Sequence, residues 1–437
     1  ANTTATANTA VGYQTSYSGT TGEHNTAVGY QAAYSTTTGG YNTAIGYVAL
    51  RANTAGNFNT AVGRQALNAA TSDYNTAIGH AAMITNTTGA YNVALGNNAL
   101  NSNTTASNNT AVGYQAGYSN TTGSITAFGQ TAGYSNTTGS ITAFGQAALS
   151  GNTTGTKNTA VGYTALASNT TASNNTGVGY EAGYSGITST SNAFFGYRAG
   201  YLVTAANCTA IGFNAMQGAA TGGEHTAVGD SALQSCTSGQ FNVAVGRTAL
   251  SATTTGSGNT GVGTYALSNN TTASNNTAVG YAASQLNTTG FANVAIGTLS
   301  LYTNQTGNNN TAIGSGIIGS LPGALYNNTA SNNTAIGYIS MGTNTTGANN
   351  TALGSEAFYQ NSTGSNNTAL GMQALRYSTT ASSNTAVGYQ AGYSNTTGGI
   401  TAFGNSAGYG NTTGTANVAV GSAALQTNST GSYNVAV

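Results

Sequence analysis

The sequence predicts an all-β fold, a parallel β-solenoid or β-roll of about 25 coils in which one repeat of 16 or 17 residues makes one coil. A glycine closes a Thr-Ala-Val-Gly-like phrase 25 times, and 18 of the 24 intervals between these anchor glycines are 17 residues, five are 16 and one is 23. The composition agrees, because the 437 residues include 63 glycines, one proline and few charges. A unit this short cannot fold alone and must stack on its neighbours.

The phrase that ends at each anchor glycine predicts the strand of the coil. Its residues alternate with period two, so threonine and valine share one face and asparagine, alanine and glycine share the other. Threonine and valine have similar shapes and exchange for one another, which predicts that their face packs in the coil's own core. The small residues of the other face predict that a neighbour covers it. The predicted core columns are Thr26, Thr43, Thr60, Val28, Ile45, Val62, Ile78, Leu95, Val112, Phe128, Phe144 and Val161.

The segment after the anchor reads YQAL in many repeats and YQAGY in others. Where glycine replaces leucine a tyrosine follows, as in Gly117–Tyr118, and we expect the ring to fold back over the glycine. The asparagine before the strand predicts a turn in which its side chain bonds its own backbone. In four of the five 16-residue intervals this asparagine is replaced by an apolar residue, as at Ile125, and we expect that residue to tuck under the strand.

The domain organisation predicted from the repeat is one continuous array over residues 1–437, read as an excerpt of a longer chain. The 23-residue interval contains the only proline, Pro322, and predicts one loop insertion near residues 315–330.

Composition and motif searches argue against several functions. Six basic and six acidic residues cancel, so nucleic-acid binding is not expected, and no apolar run is long enough to span a membrane. The acidic residues are scattered, and His24, His80 and His225 lie too far apart for metal-ligand spacing. Cys208 and Cys236 are expected to stay unpaired. We therefore predict no catalytic, cofactor-binding or metal-binding residues, and the chain is not expected to be an enzyme.

Phrases of the form Asn-x-Ser/Thr recur in the turns. In a secretory setting, Asn120, Asn136 and Asn152 would be candidate glycosylation acceptors. In a bacterial or phage setting the same phrases indicate turns alone.

The phrase G-x-x-N-T-A-V-G-x-x-A, from Gly22 to Ala32, resembles the head repeat of YadA-like trimeric autotransporter adhesins, a repeat also found in bacteriophage tail fibres. The resemblance covers essentially the whole chain, although the family's unit is shorter. It implies a parallel β-roll, with three chains packed side by side as a homotrimeric shaft. It also implies that Val28 and Thr26 point into the roll, and that Ala27, Ala32, Ala44 and Ala49 lie at a chain–chain contact.

Repeat, low charge and resemblance together predict a structural fibre or adhesin shaft, located outside the cell, on the cell surface or on a virion. Its partners would be further copies of itself, as a homotrimer or filament, and a cell-surface or glycan receptor. Ladders of asparagine, threonine and tyrosine would supply attachment. The alternative is an ice-binding, antifreeze-type β-solenoid in which threonine arrays order water.

Overall fold

A computed structural model, which describes residues 4–186 and 188–437, confirms the predicted β-solenoid. The chain divides into two units, Ala1–Ile211 and Gly212–Val437, and each is a stack of coils. All named elements in the described residues are short β-strands.

Each unit contains thirteen strands among the residues described. The strands of the first unit are β1 (Thr9–Val11), β2 (Thr26–Val28), β3 (Thr43–Ile45), β4 (Thr60–Val62), β5 (Thr76–Ile78), β6 (Val93–Leu95), β7 (Thr110–Val112), β8 (Ile125–Phe128), β9 (Ile141–Phe144), β10 (Asn158–Val161), β11 (Thr176–Val178), β12 (Ala193–Phe195) and β13 (Thr209–Ile211). Those of the second are β14 (Thr226–Val228), β15 (Val243–Val245), β16 (Thr260–Val262), β17 (Thr277–Val279), β18 (Val294–Ile296), β19 (Thr311–Ile313), β20 (Thr334–Ile336), β21 (Thr351–Leu353), β22 (Thr368–Leu370), β23 (Thr385–Val387), β24 (Ile400–Phe403), β25 (Asn417–Val420) and β26 (Val435–Ala436).

Within a unit, every strand pairs in parallel with the next strand along the chain. Equivalent residues of successive repeats face each other, as in Ala27 opposite Ala44. The rest of the coil pairs in the same way: the Leu100 N–H donates to the Ala116 carbonyl at 2.9 Å, and the Ser102 N–H to the Tyr118 carbonyl at 2.9 Å. Coils are therefore joined by backbone hydrogen bonds well beyond the three-residue strands.

The corners of a coil use left-handed backbone conformations. The coil that ends at the anchor Gly113 is an example. Asn98 and Leu100, near its start, have φ angles of 57° and 47°, and Asn108, just before the strand, has φ 61°. Each anchor glycine is more restricted still. Gly404 has φ +134°, and a Cβ added there would lie 2.5 Å from the carbonyl oxygen of Gly421 in the next coil. Only glycine meets both requirements.

The prediction of which strand face is buried is wrong. The alanine between the predicted core residues is the buried one, with Ala27 and Ala44 both 0% exposed, whereas Ile45 is 39% exposed. None of the predicted core residues is buried. All of them line the outer face of the sheet: Thr26, Thr43, Thr60, Val28, Ile45, Val62, Ile78, Leu95, Val112, Phe128, Phe144 and Val161.

The physical reason for the reversal is the narrowness of the coil. At Gly177, which replaces the strand alanine, an added Cβ would already lie 2.8 Å from Leu166 Cγ and 3.1 Å from the Ala182 carbonyl oxygen. A valine or isoleucine pointing inward would overfill this space. Only alanine or glycine therefore fits against the segment that follows the anchor glycine. Phe194 is the exception, and its case is explained below.

The predicted chain–chain contact residues are also misplaced. Ala27, Ala32, Ala44 and Ala49 are 0% exposed and form the interior of their own coils. Their small size serves close approach within one chain, and no partner chain can reach them.

Two columns of buried asparagines complete the interior. In the first, just before the strand, the Asn59 backbone N–H donates to Asn42 Oδ1 at 2.9 Å, and Asn42 Nδ2 donates to the Gly56 carbonyl at 2.9 Å. These side chains bond the neighbouring coil and not their own turn, which corrects the expected self-bonded turn. In the second column, Asn136 Nδ2 donates to Asn120 Oδ1 at 2.9 Å. Pairing of this kind lets polar amides fill a dry interior.

The candidate glycosylation acceptors belong to that second column. Asn120, Asn136 and Asn152 are all 0% exposed. Asn152 Nδ2 donates to Asn136 Oδ1 at 2.8 Å, so the amide that a glycan would modify is already bonded inside the coil. The prediction fails for the folded chain because a glycan acceptor must be exposed.

Glycine in the YQAGY segments makes room for an apolar residue of the strand. A Cβ on Gly117 would lie 3.0 Å from Leu100 Cδ2 and 3.2 Å from Ile125 Cδ1, so isoleucine and the leucine of the preceding coil fill the space. Ile125 is 1% exposed, which confirms that it tucks under the strand. Tyr118 stays half-buried at the surface, so the predicted fold-back of its ring is wrong. Phe194 likewise lies against two such glycines, Gly183 and Gly200.

Candidate interaction surfaces

The outer stripe is the exposed face of the parallel sheet, formed by the threonine and the apolar residue of each strand. Most of the threonines are half-buried, others such as Thr351 and Thr368 are exposed, and the apolar residues remain partly exposed, with Leu95 at 43% and Phe128 at 36%. Phe128 and Phe144 stack with ring centroids 4.9 Å apart. Each unit thus presents a continuous apolar row, and rows of this kind mark contact surfaces in soluble proteins.

Aromatic rings form ladders at the corners. A ladder of five rings is formed by His24, Tyr41, Phe58, Tyr74 and Tyr91, with successive centroids 4.8 to 5.0 Å apart and nearly parallel planes. Because the rings stack on one another, their faces are covered and their edges point outward. A ladder without gaps therefore offers hydroxyl groups and ring edges, and not flat faces, to a ligand.

A second ladder, the tyrosine column, occupies the fifth position after the anchor glycine. Tyr118 stacks on Tyr134 at 5.2 Å, and Tyr393 on Tyr409 at 4.9 Å. Two interruptions of the column adjoin a hollow in the surface. A cavity of about 460 Å³ lies beside Tyr134, where Ser150 and Ala167 occupy the next two positions of the column.

The predicted insertion near 315–330 lies beside another such interruption. Its chain leaves the coil after Gly316, and Ile317 and Leu321 form an antiparallel bridge. It rejoins the coil at Ala324, whose N–H donates to the Gly314 carbonyl at 3.2 Å. A cavity of about 380 Å³ lies between this loop and the coils that follow.

His225 and Cys236 replace an asparagine in each of the two buried columns. His225 Nε2 lies 3.5 Å from Cys236 Sγ, and the Asn242 N–H donates to Nδ1 at 3.2 Å. Burial lowers the pKa of His225 below its ordinary value of 6.5, and backbone hydrogen bonds offset part of this effect. Burial therefore favours the neutral imidazole. His24, in a similar phrase, stands one position earlier in its repeat and is instead stacked on Tyr41 at a corner.

Some of the few charges pair between adjacent coils. Arg198 Nε donates to Glu181 Oε2 at 2.6 Å, and Arg376 forms an ion pair with Glu356. The sequence carried this signal, since Glu181 and Arg198 stand 17 residues apart, which is one repeat. Asp73 lies elsewhere and accepts the Asn57 backbone N–H at 2.7 Å.

Across residues 4–186 and 188–437, no three His, Cys, Asp or Glu side chains gather as metal ligands. The same residues contain no helix able to span a membrane. No known protein family matches the sequence, and no curated protein matches it.

Sequence reasoning missed two surfaces that the structure brings out. The outer stripe was assigned to the interior, although its varied sizes, from Val112 to Phe128, are tolerated more easily outside a narrow coil. The cavity beside the loop was not foreseen. Its signal was the single glycine, Gly342, at a position where the preceding and following coils carry tyrosine.

Proposed function

We propose that the chain is a segment of a structural fibre or adhesin shaft, in which the outer stripe packs against further copies of the same chain. The observation that carries this proposal is the row of partly exposed valine, isoleucine, leucine and phenylalanine side chains along one sheet face. Burial of such a row against a second copy gains roughly 25 cal/mol for each Å² of apolar surface removed from water.

Another copy of the chain is the partner that fits this surface best. Its own stripe repeats at the same spacing, so within each unit the rows of two copies interdigitate coil by coil. The stripe carries no charge that would repel a copy, and the chain's net charge is zero. A side-by-side homotrimer, as the resemblance to YadA-like head repeats implies, buries all three stripes at one axis.

This function places the chain outside the cell, on a cell surface or on a virion. Attachment to a surface or a glycan receptor would use the corners, where tyrosine hydroxyls and ring edges face outward on a different side from the stripe. Repetition supplies many equal contacts, and weak contacts add to a firm attachment when they are linked.

Self-association is tested by sedimentation equilibrium. The wild-type chain is expected to sediment as a homotrimer, and Phe128→Lys with Phe144→Lys is expected to yield monomers. Thr122→Lys with Thr138→Lys is the matched control, since these threonines are exposed in the same two coils but lie in the turns. A monomeric wild-type chain, or control and stripe variants that associate equally, would contradict the proposal.

The ice-binding alternative is favoured by one observation. The threonine column lies half-exposed on a regular parallel sheet, and not in the interior as expected. Against it, the neighbouring column varies between valine, leucine and phenylalanine, so the face is not a flat array of one small side chain. Thermal hysteresis in the wild-type chain, lost on substitution of Thr43 and Thr60 by lysine, would favour ice binding over the shaft.

A further inference from the structure

We infer that the cavity beside the 317–322 loop is a binding site for a single neutral pyranose ring, held between Tyr326 and Tyr359. The tyrosine column runs Tyr302, Tyr326, Gly342, Tyr359 in four successive coils. The Thr303 N–H donates to the Tyr326 carbonyl at 2.9 Å, and the Thr343 N–H to the Tyr359 carbonyl at 3.2 Å, which places both tyrosines in register despite the insertion. Glycine thus leaves out one ring of the ladder.

The outer faces of the two tyrosines are already covered. Tyr302 stacks on Tyr326 with centroids 5.0 Å apart, and the Arg376 guanidinium lies 6.0 Å from the Tyr359 centroid. Both rings also line the cavity. Two coil spacings of about 4.8 Å separate the register positions of the two tyrosines by about 9.6 Å. Pro322 and the Tyr359 ring reach over Gly342 within this interval, and a ligand ring would lie beside them in the cavity.

The loop makes this position into a cleft that is partly open to solvent. Pro322 and Leu321 line the cavity with the two tyrosines, and its volume of about 380 Å³ falls within the range of small-ligand sites. A Cβ on Gly342 would lie 3.1 Å from Pro322 Cγ and 3.2 Å from Tyr359 Cε2, so the proline and the tyrosine close over the glycine. Burial, followed by the neighbouring Tyr302, raises the pKa of Tyr326, in keeping with a ring drawn out of water.

The lining selects the class of ligand. No charged residue lines the cavity, whereas Ser320, Asn327 and Thr343 bring hydroxyl and amide groups to its edge. The Thr343 hydroxyl donates to the Tyr359 carbonyl at 2.7 Å, so its hydrogen is engaged and its oxygen can still accept a hydrogen bond. Apolar ring faces combined with an uncharged polar rim suit a pyranose, whose C–H faces stack on aromatic rings while its hydroxyl groups bond the rim.

The proposed sugar site rests on the attachment role proposed above. It does not depend on self-association of the chain. Failure to bind sugar would leave the outer stripe and its sedimentation test untouched. Conversely, a monomeric chain would still contain the cavity.

The test is saturation-transfer NMR with the full chain, using methyl glucopyranoside, methyl galactopyranoside and methyl N-acetylglucosaminide as probes and p-cresol as an aromatic comparison. At least one glycoside is expected to bind saturably, at millimolar concentration, through its ring C–H groups. Gly342→Tyr, which restores the missing ring, and Tyr359→Leu are each expected to weaken this binding at least tenfold.

Tyr409→Leu is the matched control, because Tyr409 belongs to the same column but lies outside the cavity. It is expected to bind as the wild type does. Thermal unfolding of every variant checks that the coils remain folded. Absence of glycoside binding, equal binding by wild type and Gly342→Tyr, or saturable binding of p-cresol alone would overturn the inference.

Discussion

The anchor glycines are the residues that the coil tolerates changing least. At Gly404 a methyl group would meet both a forbidden φ and the backbone of the next coil. We expect Gly404→Ala to lower the free energy of unfolding by roughly 2–4 kcal/mol, because the backbone of two coils must shift. Gly399→Ala, in the same coil, is the control, since its added Cβ would have 3.5 Å to the nearest atom. Urea denaturation that gave equal losses for both would contradict this account.

His225 predicts a dependence of stability on pH. Its pKa is lowered in the folded chain, so below pH 6.5 the unfolded chain binds a proton that the folded chain does not. The free energy of unfolding is therefore complete above pH 6.5 and falls as the pH drops toward the lower, folded-state pKa. His225→Asn restores the residue type of the buried column and is expected to remove this component.

The measurement is urea denaturation of both proteins at pH 7.5 and pH 5.5. Ionisation of the other acidic residues contributes equally to the two chains and cancels in the comparison. An identical loss of stability on acidification in wild type and His225→Asn would show that the imidazole is not the responsible group.

Residue identities explain why the strand face was predicted the wrong way round. Alternation in Thr-Ala-Val-Gly fixes which residues share a face, and that part of the prediction is confirmed. Choosing the buried face required the width of the coil, which depends on left-handed corners at ordinary residues such as Leu100 and Val48. The residue types at these corners do not predict a positive φ, because only glycine and asparagine adopt it readily.

At the scale of the element, two of the ways in which the coil fills its interior are interchangeable. One combines leucine after the anchor with asparagine before the strand, and the other combines glycine with isoleucine, as in Gly117 and Ile125. The sequence contained this covariation, but the space was predicted to be filled by the tyrosine next to each glycine. Side-chain volume, not ring position, is what the two arrangements conserve.

A double-mutant cycle tests this exchange of volume. Gly117→Leu alone is expected to cost about 1–3 kcal/mol through overpacking, and Ile125→Ala alone about 2–5 kcal/mol through a cavity. The double variant is expected to cost less than the sum by about 0.5–3 kcal/mol, because leucine fills the space that isoleucine leaves. Pairing Gly117→Leu with Thr122→Ala, in the exposed turn, should give simple additivity in denaturant unfolding.

At the scale of the whole molecule, repetition made the fold class predictable and hid the candidate sites. The nearly equal spacing of the anchor glycines predicts that successive coils stack in register, since each coil contacts only its neighbours. The loop cavity depends on one missing ring at Gly342 and on where the inserted chain folds back. Neither follows from a periodic pattern, because both are departures from it.

Near-absence of charge predicts how assembly responds to salt. If copies meet through the outer stripe, their attraction is hydrophobic and is not screened by ions. Raising sodium chloride from 0.1 M to 1 M is expected to leave the sedimentation mass unchanged or to increase it. Dissociation by salt would point instead to contacts through the arginine–carboxylate pairs, such as Arg198 with Glu181.

The neighbour-only pairing of coils bears on how such a chain changes length over generations. Residues 114–129 and 130–145 are near-copies, and each occupies one full coil. Loss of 130–145 would join Gly129 to Gln146 and bring equivalent positions back into register, with one layer fewer. Genetic slippage by a whole repeat is therefore structurally silent, whereas slippage by any other number of residues turns the interior of a coil outward.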